Sequence, residues 1–120
     1  MRKTRVLLAN EPRSYREVMA SAFREMRPNL EVFVADPDEV ERILDLISPD
    51  VVICSEPIPA VQHRVRAWIE LYPAGESLVV VNVEGERSTF DDLELLGLLS
   101  IVDDMGEKLQ HTNQGCAPTN

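Results

Sequence analysis

The chain has 120 residues, which is enough for one domain with an ordinary hydrophobic core. Its composition, 44% hydrophobic and 28% charged, is typical of a soluble globular protein, and no apolar run of about 18 residues could span a bilayer. The formal net charge of -9 argues against direct nucleic-acid binding, because phosphate contacts need clustered Lys and Arg side chains.

The first third of the chain predicts a strand, a helix and a second strand. Residues 6–9 form an apolar run, and Ser14 with Glu17 three residues later has the spacing of a capping box, so a helix begins there. Residues 30–34 follow as a strand. The apolar positions of the helix repeat on one face, which consists of Tyr15, Val18, Met19, Ala22, Phe23 and Met26.

The middle of the chain predicts a second helix and a buried strand. Asp36 is the expected cap of this helix, with Pro37 at its first position and Glu39 completing a capping box. Residues 51–54 are continuously apolar, as in a buried parallel strand, so Ser55 lies at the carboxyl end of that strand. The helix carries a buried stripe of Val40, Ile43, Leu44 and Ile47.

The second half begins with a third helix over residues 61–72 and a fourth strand over residues 77–83. Residues 84–87 are predicted as a loop and residues 90–96 as a short acidic helix. Residues 98–102 fit a fifth strand or more helix.

Gly97 favours a break before residues 98–102 and therefore the strand. The last helix is then short or missing. Residues 112–120 lack an apolar stripe and are predicted to be a disordered tail after a domain of residues 1–111.

Strands that alternate with helices favour a three-layer α/β sandwich around a parallel, five-stranded sheet with flavodoxin-like topology. In such a sheet the chemistry lies at the carboxyl ends of the strands. The polar residues expected at that edge are Asn10, Glu11, Ser55, Glu56, Asn82, Asp103 and Asp104.

The chain resembles the receiver domains of two-component response regulators over residues 5–104. The run Arg-Val-Leu-Leu-Ala-Asn-Glu-Pro at residues 5–12 is similar to the family's first strand and acidic pair. The run Pro-Asp-Val-Val-Ile-Cys-Ser-Glu-Pro-Ile-Pro at residues 49–59 is similar to its phosphoacceptor strand and turn. The family's Mg²⁺-binding acids, phosphoacceptor Asp, sensing Thr or Ser, and Lys correspond here to Asn10, Glu11, Ser55, Asn82, and Asp103 or Asp104.

The resemblance therefore implies a domain that cannot be phosphorylated in the family's way. A serine such as Ser55 cannot carry an acyl phosphate, and without a nearby base its hydroxyl is a poor nucleophile. Mg²⁺ prefers carboxylate oxygens, of which Glu11 remains. We expect neither a metal nor another cofactor, and no enzymatic activity.

Three functions remain open at this stage. The first is a pseudo-receiver that binds a signalling protein or a second copy of itself, with the acidic residues 90–104 as its surface. The second is a domain that senses a small ligand or anion through Asn10, Ser55 and Asn82. The third is phosphotransfer through Glu11 and Glu56.

Charge and cysteine use add two expectations. Residues 1–30 are mainly basic and residues 84–108 mainly acidic, which fits solvated faces, steering of a partner or head-to-tail self-association. Cys54 and Cys116 lie in different settings and form neither a disulfide framework nor a metal motif. Without a recognisable secretory leader, the expected location is cytoplasmic.

Overall fold

The computed structural model describes residues 3–72, 77–91 and 93–115, the last six of them by their backbone alone. None of the helices in these ranges is long and apolar enough to cross a membrane. The strands are β1 (Thr4–Ala9), β2 (Leu30–Val34), β3 (Val51–Cys54), β4 (Ala67–Leu71), β5 (Leu78–Val83) and β6 (Glu86–Asp91). The helices are α1 (Arg13–Met26), α2 (Val40–Ile47), α3 (Pro59–Arg64) and α4 (Leu95–Gly115), with a 3₁₀ turn at Pro37–Glu39 before α2.

The six strands form one mixed sheet in the order β2-β1-β3-β4-β5-β6. The strands from β2 to β4 are parallel, whereas β5 runs antiparallel to β4 and β6 runs antiparallel to β5. The predicted purely parallel, five-stranded, flavodoxin-like sheet is therefore wrong. The strands predicted at residues 6–9, 30–34, 51–54 and 77–83 are confirmed as β1, β2, β3 and β5.

The third predicted helix is wrong because its residues satisfy two periodicities. Helix α3 ends at Arg64, and the chain continues as β4 instead of completing a helix to residue 72. Ala67, Ile69 and Leu71 alternate along β4 and are all buried, which is the pattern of a strand, whereas Trp68, Ile69 and Tyr72 also fit the helical spacing. This additional strand leads the chain into the antiparallel part of the sheet.

The predictions for residues 84–102 are confirmed only in part. The loop predicted at residues 84–87 is a turn of two residues, the short helix at residues 90–96 is wrong, and for residues 98–102 the favoured strand is wrong while the alternative, more helix, is confirmed. Glu84 and Gly85 have φ angles of 52° and 87°, the left-handed conformation that a two-residue hairpin turn requires, and the chain returns as β6. Residues 98–102 belong to α4, with Gly97 inside the helix. The last helix, predicted to be short or missing, has 21 residues. It extends into the segment 112–120 that was predicted to be disordered; residues 116–120 lie outside the described ranges.

Helices cover both faces of the sheet and create two hydrophobic cores. One core lies between the sheet and the pair α1 and α4, with Phe23 and Leu99 fully buried. The other lies under α2 and α3, with Val40 and Val61 fully buried. Apolar burial on both faces explains why β3, in the middle of the parallel strands, is continuously apolar.

The predicted capping boxes do not form. Helix α1 begins one residue before Ser14, with Pro12 at its cap, and Glu17 pairs with Arg13 at 3.0 Å. The buried stripe of α1 is also rotated from the predicted face, because Val18 is 66% exposed and Arg16 is only 2% exposed. This rotation brings a charged side chain into the protein.

Candidate functional site

Polar groups converge at the carboxyl ends of β1, β2 and β3. The register pairs Ala9 with Cys54 in parallel strands, so the residues that follow these two strands are neighbours. The backbone N–H of Glu11 donates a hydrogen bond to Ser55 Oγ at 2.8 Å. The edge therefore brings Asn10, Glu11 and Ser55 together, as the sequence predicted for these three residues.

The centre of this edge is the guanidinium group of Arg16, which projects from the first turns of α1. Its Nη2 donates to Asp36 Oδ1 at 2.6 Å, and its Nη1 donates to Glu11 Oε2 at 3.3 Å. The same Nη1 reaches the backbone carbonyl of Asn10 at 3.4 Å. One arginine thus connects the loops that follow β1 and β2. We call Asn10, Glu11, Arg16, Asp36 and Ser55 the edge cluster.

The ion pairs of the edge cluster each join a buried cation to a half-exposed anion. The side chain of Arg16 is 2% exposed, whereas those of Glu11 and Asp36 are 58% and 53% exposed. The buried charge is therefore neutralised by carboxylates that water still reaches. Removing an anion would strand a buried cation, whereas removing the cation would leave solvated anions.

Asp36 explains why the predicted cap of α2 does not form. It precedes the 3₁₀ turn, in the cap position, but its side chain makes no capping hydrogen bond to the backbone. Its carboxylate accepts the Arg16 hydrogen bond instead. In this bond both partners are charged and the guanidinium is buried, so the tertiary contact overrides the local capping pattern.

Two buried polar atoms of the edge cluster have no hydrogen-bond partner among the described residues. They are Asn10 Oδ1 and Arg16 Nε. Asn10 is fully buried, and its Nδ2 donates only to the sulfur of Met19 at 3.3 Å. An open depression of about 210 Å³ lies beside Arg16 and Asp36 and is also lined by Arg13, Glu17, Val34, Ala35 and Glu39.

The remaining predicted edge residues lie elsewhere. Asn82 is in β5 opposite Trp68, and because β5 runs antiparallel it lies towards the start of β4 instead of beside Ser55. Asp103 lies on α4 and pairs with Arg27, at the end of α1, at 2.9 Å. Asn82 lies near the carboxyl end of β5 as expected, but the antiparallel direction of β5 puts that end at the opposite edge of the sheet from Ser55. Asp103, expected in a loop after a strand, lies within a helix instead.

The other residues considered at the sequence level are on the surface or outside the described side chains. Glu56 and His63 are exposed, and His63 Nδ1 lies 2.8 Å from the carbonyl oxygen of Pro59. Asp104 is exposed on α4. The side chain of His111, and Cys116, are outside the described part of the chain.

Cys54 and Glu70 form a second buried polar pair, which the sequence analysis did not anticipate. They are partners in the register of β3 and β4, and Glu70, only 7% exposed, accepts a hydrogen bond from Trp68 Nε1 at 3.1 Å. Burial, and to a lesser degree the Glu70 carboxylate, raises the pKa of the Cys54 thiol to about 12. Cys54 is therefore a thiol at neutral pH and a weak nucleophile.

Arg16 is the main residue that the sequence analysis missed. It precedes the buried Met19 and Phe23 by three and seven positions, so it lies on the same face of α1 as these core residues. A charged residue at such positions usually extends to solvent, and this one does not. Its position on the same face as the apolar residues of α1 was the signal from which its burial could have been predicted.

The described contacts at the edge are hydrogen bonds and ion pairs. Among the described residues, no group of three or more His, Cys, Asp or Glu side chains could hold a metal ion. Ser55 Oγ accepts the Glu11 N–H, and the described contacts supply it with no histidine or carboxylate base. These contacts are those of a network that fixes loops.

Comparisons with known proteins supply no relative for this chain. No family model matches it, and neither curated sequences nor solved structures give a significant match.

Proposed function

We propose that this protein is a regulatory module that binds another protein and does not act as a phosphorylation switch. The observation that carries the proposal is the buried Arg16 guanidinium inside the edge cluster. The proposal keeps the resemblance to receiver domains as its functional context, with Asn10, Glu11 and Ser55 as a vestigial pocket. It also includes a signalling protein as partner and a cytoplasmic location.

The position of Arg16 opposes a divalent cation at this edge. Glu11, the one acidic residue left from the family's metal-binding pair, already accepts a hydrogen bond from Arg16 Nη1. A metal ion bound by Glu11 would face a fixed, buried positive charge, and like charges at short range repel. Without the metal and without an aspartate at residue 55, phosphoryl transfer has neither its Lewis acid nor its acceptor.

Because the edge cluster is held in one arrangement, we expect partner binding to use a surface whose exposure does not depend on phosphorylation. Around the start of α4, Leu95 and Leu96 are 37% and 59% exposed, and the acidic side chain of Glu94 precedes them. Phe90 at the end of β6 is 39% exposed. Exposed apolar side chains beside acidic ones fit a protein partner with a basic, partly apolar surface. This is the acidic segment, residues 90–104, that the sequence suggested.

The first experiment exposes the protein to a small phosphodonor with Mg²⁺ and measures intact mass. We expect no added phosphate on the wild type or on Ser55→Ala. Ser55→Asp restores an acceptor carboxylate, and with Arg16 in place we expect it to remain unmodified too. Phosphate on the wild type, mapped to Glu11 or Glu56, would overturn the proposal and make this an active switch.

The second experiment tests the surface with a matched pair of exposed leucines. Leu96→Ser changes the proposed surface, whereas Leu46→Ser changes a leucine of α2 that is 68% exposed. Partners captured by the wild type and identified by mass spectrometry should be lost with Leu96→Ser and kept with Leu46→Ser. Equal retention by both variants would remove this surface from the proposal.

A second candidate function is the sensing of a small anion at the edge. It is favoured by Arg16 Nε, which is buried, has no partner among the described residues and adjoins the open depression. Against it, Glu17, Asp36 and Glu39 also line that depression and would repel an anion. A saturable rise in melting temperature with inorganic phosphate, absent in Arg16→Met, would favour sensing.

A further inference from the structure

Strand β6 is the last strand of the sheet and all six of its residues are exposed. It pairs with β5 in an uninterrupted register from Leu78 and Asp91 to Val83 and Glu86, so no bulge twists the edge away. Its sequence, Glu-Arg-Ser-Thr-Phe-Asp, contains no proline that would block pairing. An edge strand of this kind presents unpaired backbone groups to any strand that can match it.

The other edge of the sheet, at β2, is protected from pairing with another strand. At β2, the guanidinium group of Arg24 donates a hydrogen bond to the backbone carbonyl of Val32 at 3.0 Å. Leu30 and Val32 are buried at that edge, whereas every residue of β6 is exposed. The structure therefore directs strand pairing to β6.

The hairpin turn determines which backbone groups of β6 face outward. In a two-residue turn, the N–H of the residue after the turn, here Glu86, bonds to the carbonyl of the residue before it, Val83. Because the groups of an antiparallel strand alternate, Ser88 and Phe90 also direct their N–H and C=O towards β5. Among the described residues, the N–H and C=O groups of Arg87, Thr89 and Asp91 are the ones that face away from the sheet.

We propose that a second copy of the chain pairs with this edge, antiparallel and about a two-fold axis at Thr89. In this register Thr89 lies opposite its own copy and Arg87 lies opposite Asp91 of the other chain, twice by symmetry. Both charge pairs then join residues whose free backbone groups face each other. The two six-stranded sheets become one continuous sheet with an isologous interface.

Alternative symmetric registers match the charges less well. An axis at Arg87 or at Asp91 places like charges directly opposite each other, which is destabilising. An axis at Ser88 or Phe90 places one of the charged residues opposite Thr89. Only the Thr89 axis pairs both opposite charges and Thr with Thr, which is the arrangement that cross-strand preferences favour. This sequence of charges is complementary to itself, and so the partner is a second copy.

The test is a charge exchange followed by sedimentation equilibrium. We expect the wild type to dimerise reversibly as chain concentration rises, and Arg87→Asp or Asp91→Arg alone to weaken the dimer by about tenfold or more. The double variant restores the opposite-charge pairs and should restore the dimer. Asp38→Arg, at an exposed site before α2, is the matched control and should leave the dimer unchanged.

A cysteine pair tests the position of the axis. In a Cys116→Ser background, Thr89→Cys places a thiol opposite its own copy, at the Cα separation of about 5.5 Å that suits a disulfide. Ser88→Cys faces Phe90 of the other chain and should cross-link much less. Rapid oxidation of Thr89→Cys with little for Ser88→Cys supports the register, and equal rates contradict it.

A wild type that stays monomeric at millimolar concentration would overturn the proposal, as would a double variant that remains monomeric. The partner surface is tested separately by Arg87→Asp, which lies outside the acidic segment 90–104 and should weaken the dimer while leaving partner binding intact. Asp91→Arg lies within that segment, so it is used for the dimer measurement alone. Conversely, loss of the partner with Leu96→Ser should leave the dimer intact. The two proposals therefore fail separately.

Discussion

The parallel half of the sheet (β2, β1 and β3) and the antiparallel half (β4, β5 and β6) use polar side chains in opposite ways. In the parallel half, Asn10 is fully buried and Arg16 is 2% exposed, and their contacts connect loops of the same chain. In the antiparallel half, all residues of β6 are exposed and its charges remain on the surface. The parallel half uses these polar groups for internal fixation, whereas β6 leaves its charges available to a partner.

We expect the largest effect on stability from a substitution that breaks the hydrogen-bond network of the edge cluster. Asp36→Ala removes the nearer anion from a buried cation, so we expect a loss of about 2–3 kcal/mol in the free energy of unfolding. Arg16→Met keeps the length of the side chain and leaves only half-exposed carboxylates, and about 1 kcal/mol or less should be lost. Urea unfolding of both variants measures the difference.

The order of these two effects is the informative result. If Arg16→Met costs more than Asp36→Ala, the network stabilises the protein through packing of the arginine and not through neutralisation of its charge. Asp38→Ala is a control, because Asp38 is exposed two residues from Asp36 and should change stability little.

A smaller effect concerns the attachment of α4 to the parallel half. A Cβ atom at Gly106 would lie 2.7 Å from Thr4 Oγ1 at the start of β1, so Gly106→Ala should cost about 1 kcal/mol despite the better helix propensity of alanine. At Gly97 the nearest atom is Leu93 Cδ2 at 3.1 Å, the flexible end of a side chain. Gly97→Ala should therefore stabilise by up to about 1 kcal/mol.

Thermal unfolding of both glycine variants measures this contrast. A second substitution, Thr4→Ala, should restore most of the stability lost in Gly106→Ala because it removes the crowding hydroxyl. If Gly106→Ala is as stable as the wild type, α4 shifts easily on β1, and its contact with the parallel half is looser than the structure shows.

The smallest effect lies at the hairpin turn of the antiparallel half. Arg66 donates two hydrogen bonds to the Glu84 carboxylate, at 2.7 and 3.0 Å, and this hydrogen bonding lowers the pKa of Glu84. A lowered pKa in the folded state stabilises the protein above the unfolded value of 4.5, and this contribution is lost as pH falls through the folded value. The pair is exposed to solvent, so the effect should be small.

Melting temperatures between neutral pH and pH 3 measure this contribution. Compared with the wild type, Glu84→Gln should be less stable at neutral pH and should lose less stability on acidification. If the melting temperatures of the two proteins fall in parallel as the pH is lowered, the ion pair contributes nothing to the stability of the turn.

The sequence predicted the parallel half better because β1 and β3 contain continuous apolar runs. Residues 51–54 lie between Pro-Asp and a polar turn, and a buried strand fits them better than the other regular structures do. In the antiparallel half, Trp68 and Ile69 fit both periodicities. Ser88 and Thr89 in β6 are exposed and carry no apolar alternation, and Gly97 lies inside a helix that it was expected to end.

The candidate site follows the same division. Asn10, Glu11 and Ser55 could be placed together because the carboxyl ends of adjacent parallel strands meet. The position of Asn82 could not be predicted, because its strand runs in the opposite direction. No local signal in residues 77–83 distinguishes a parallel from an antiparallel strand. Arg16 was missed because only tertiary contacts with Glu11 and Asp36 explain a buried guanidinium.

The reversal of strand direction after β4 also has a consequence for folding. The antiparallel pair β5 and β6 is joined by two residues, so it closes a very short loop. Contacts in the parallel half, such as the bond from the Arg5 N–H to Asp50 Oδ2, close loops of 45 residues. Short loops cost less conformational entropy and close faster. In pulse-labelled hydrogen exchange, the amides that join β5 and β6 should therefore be protected before those that join β1 and β3.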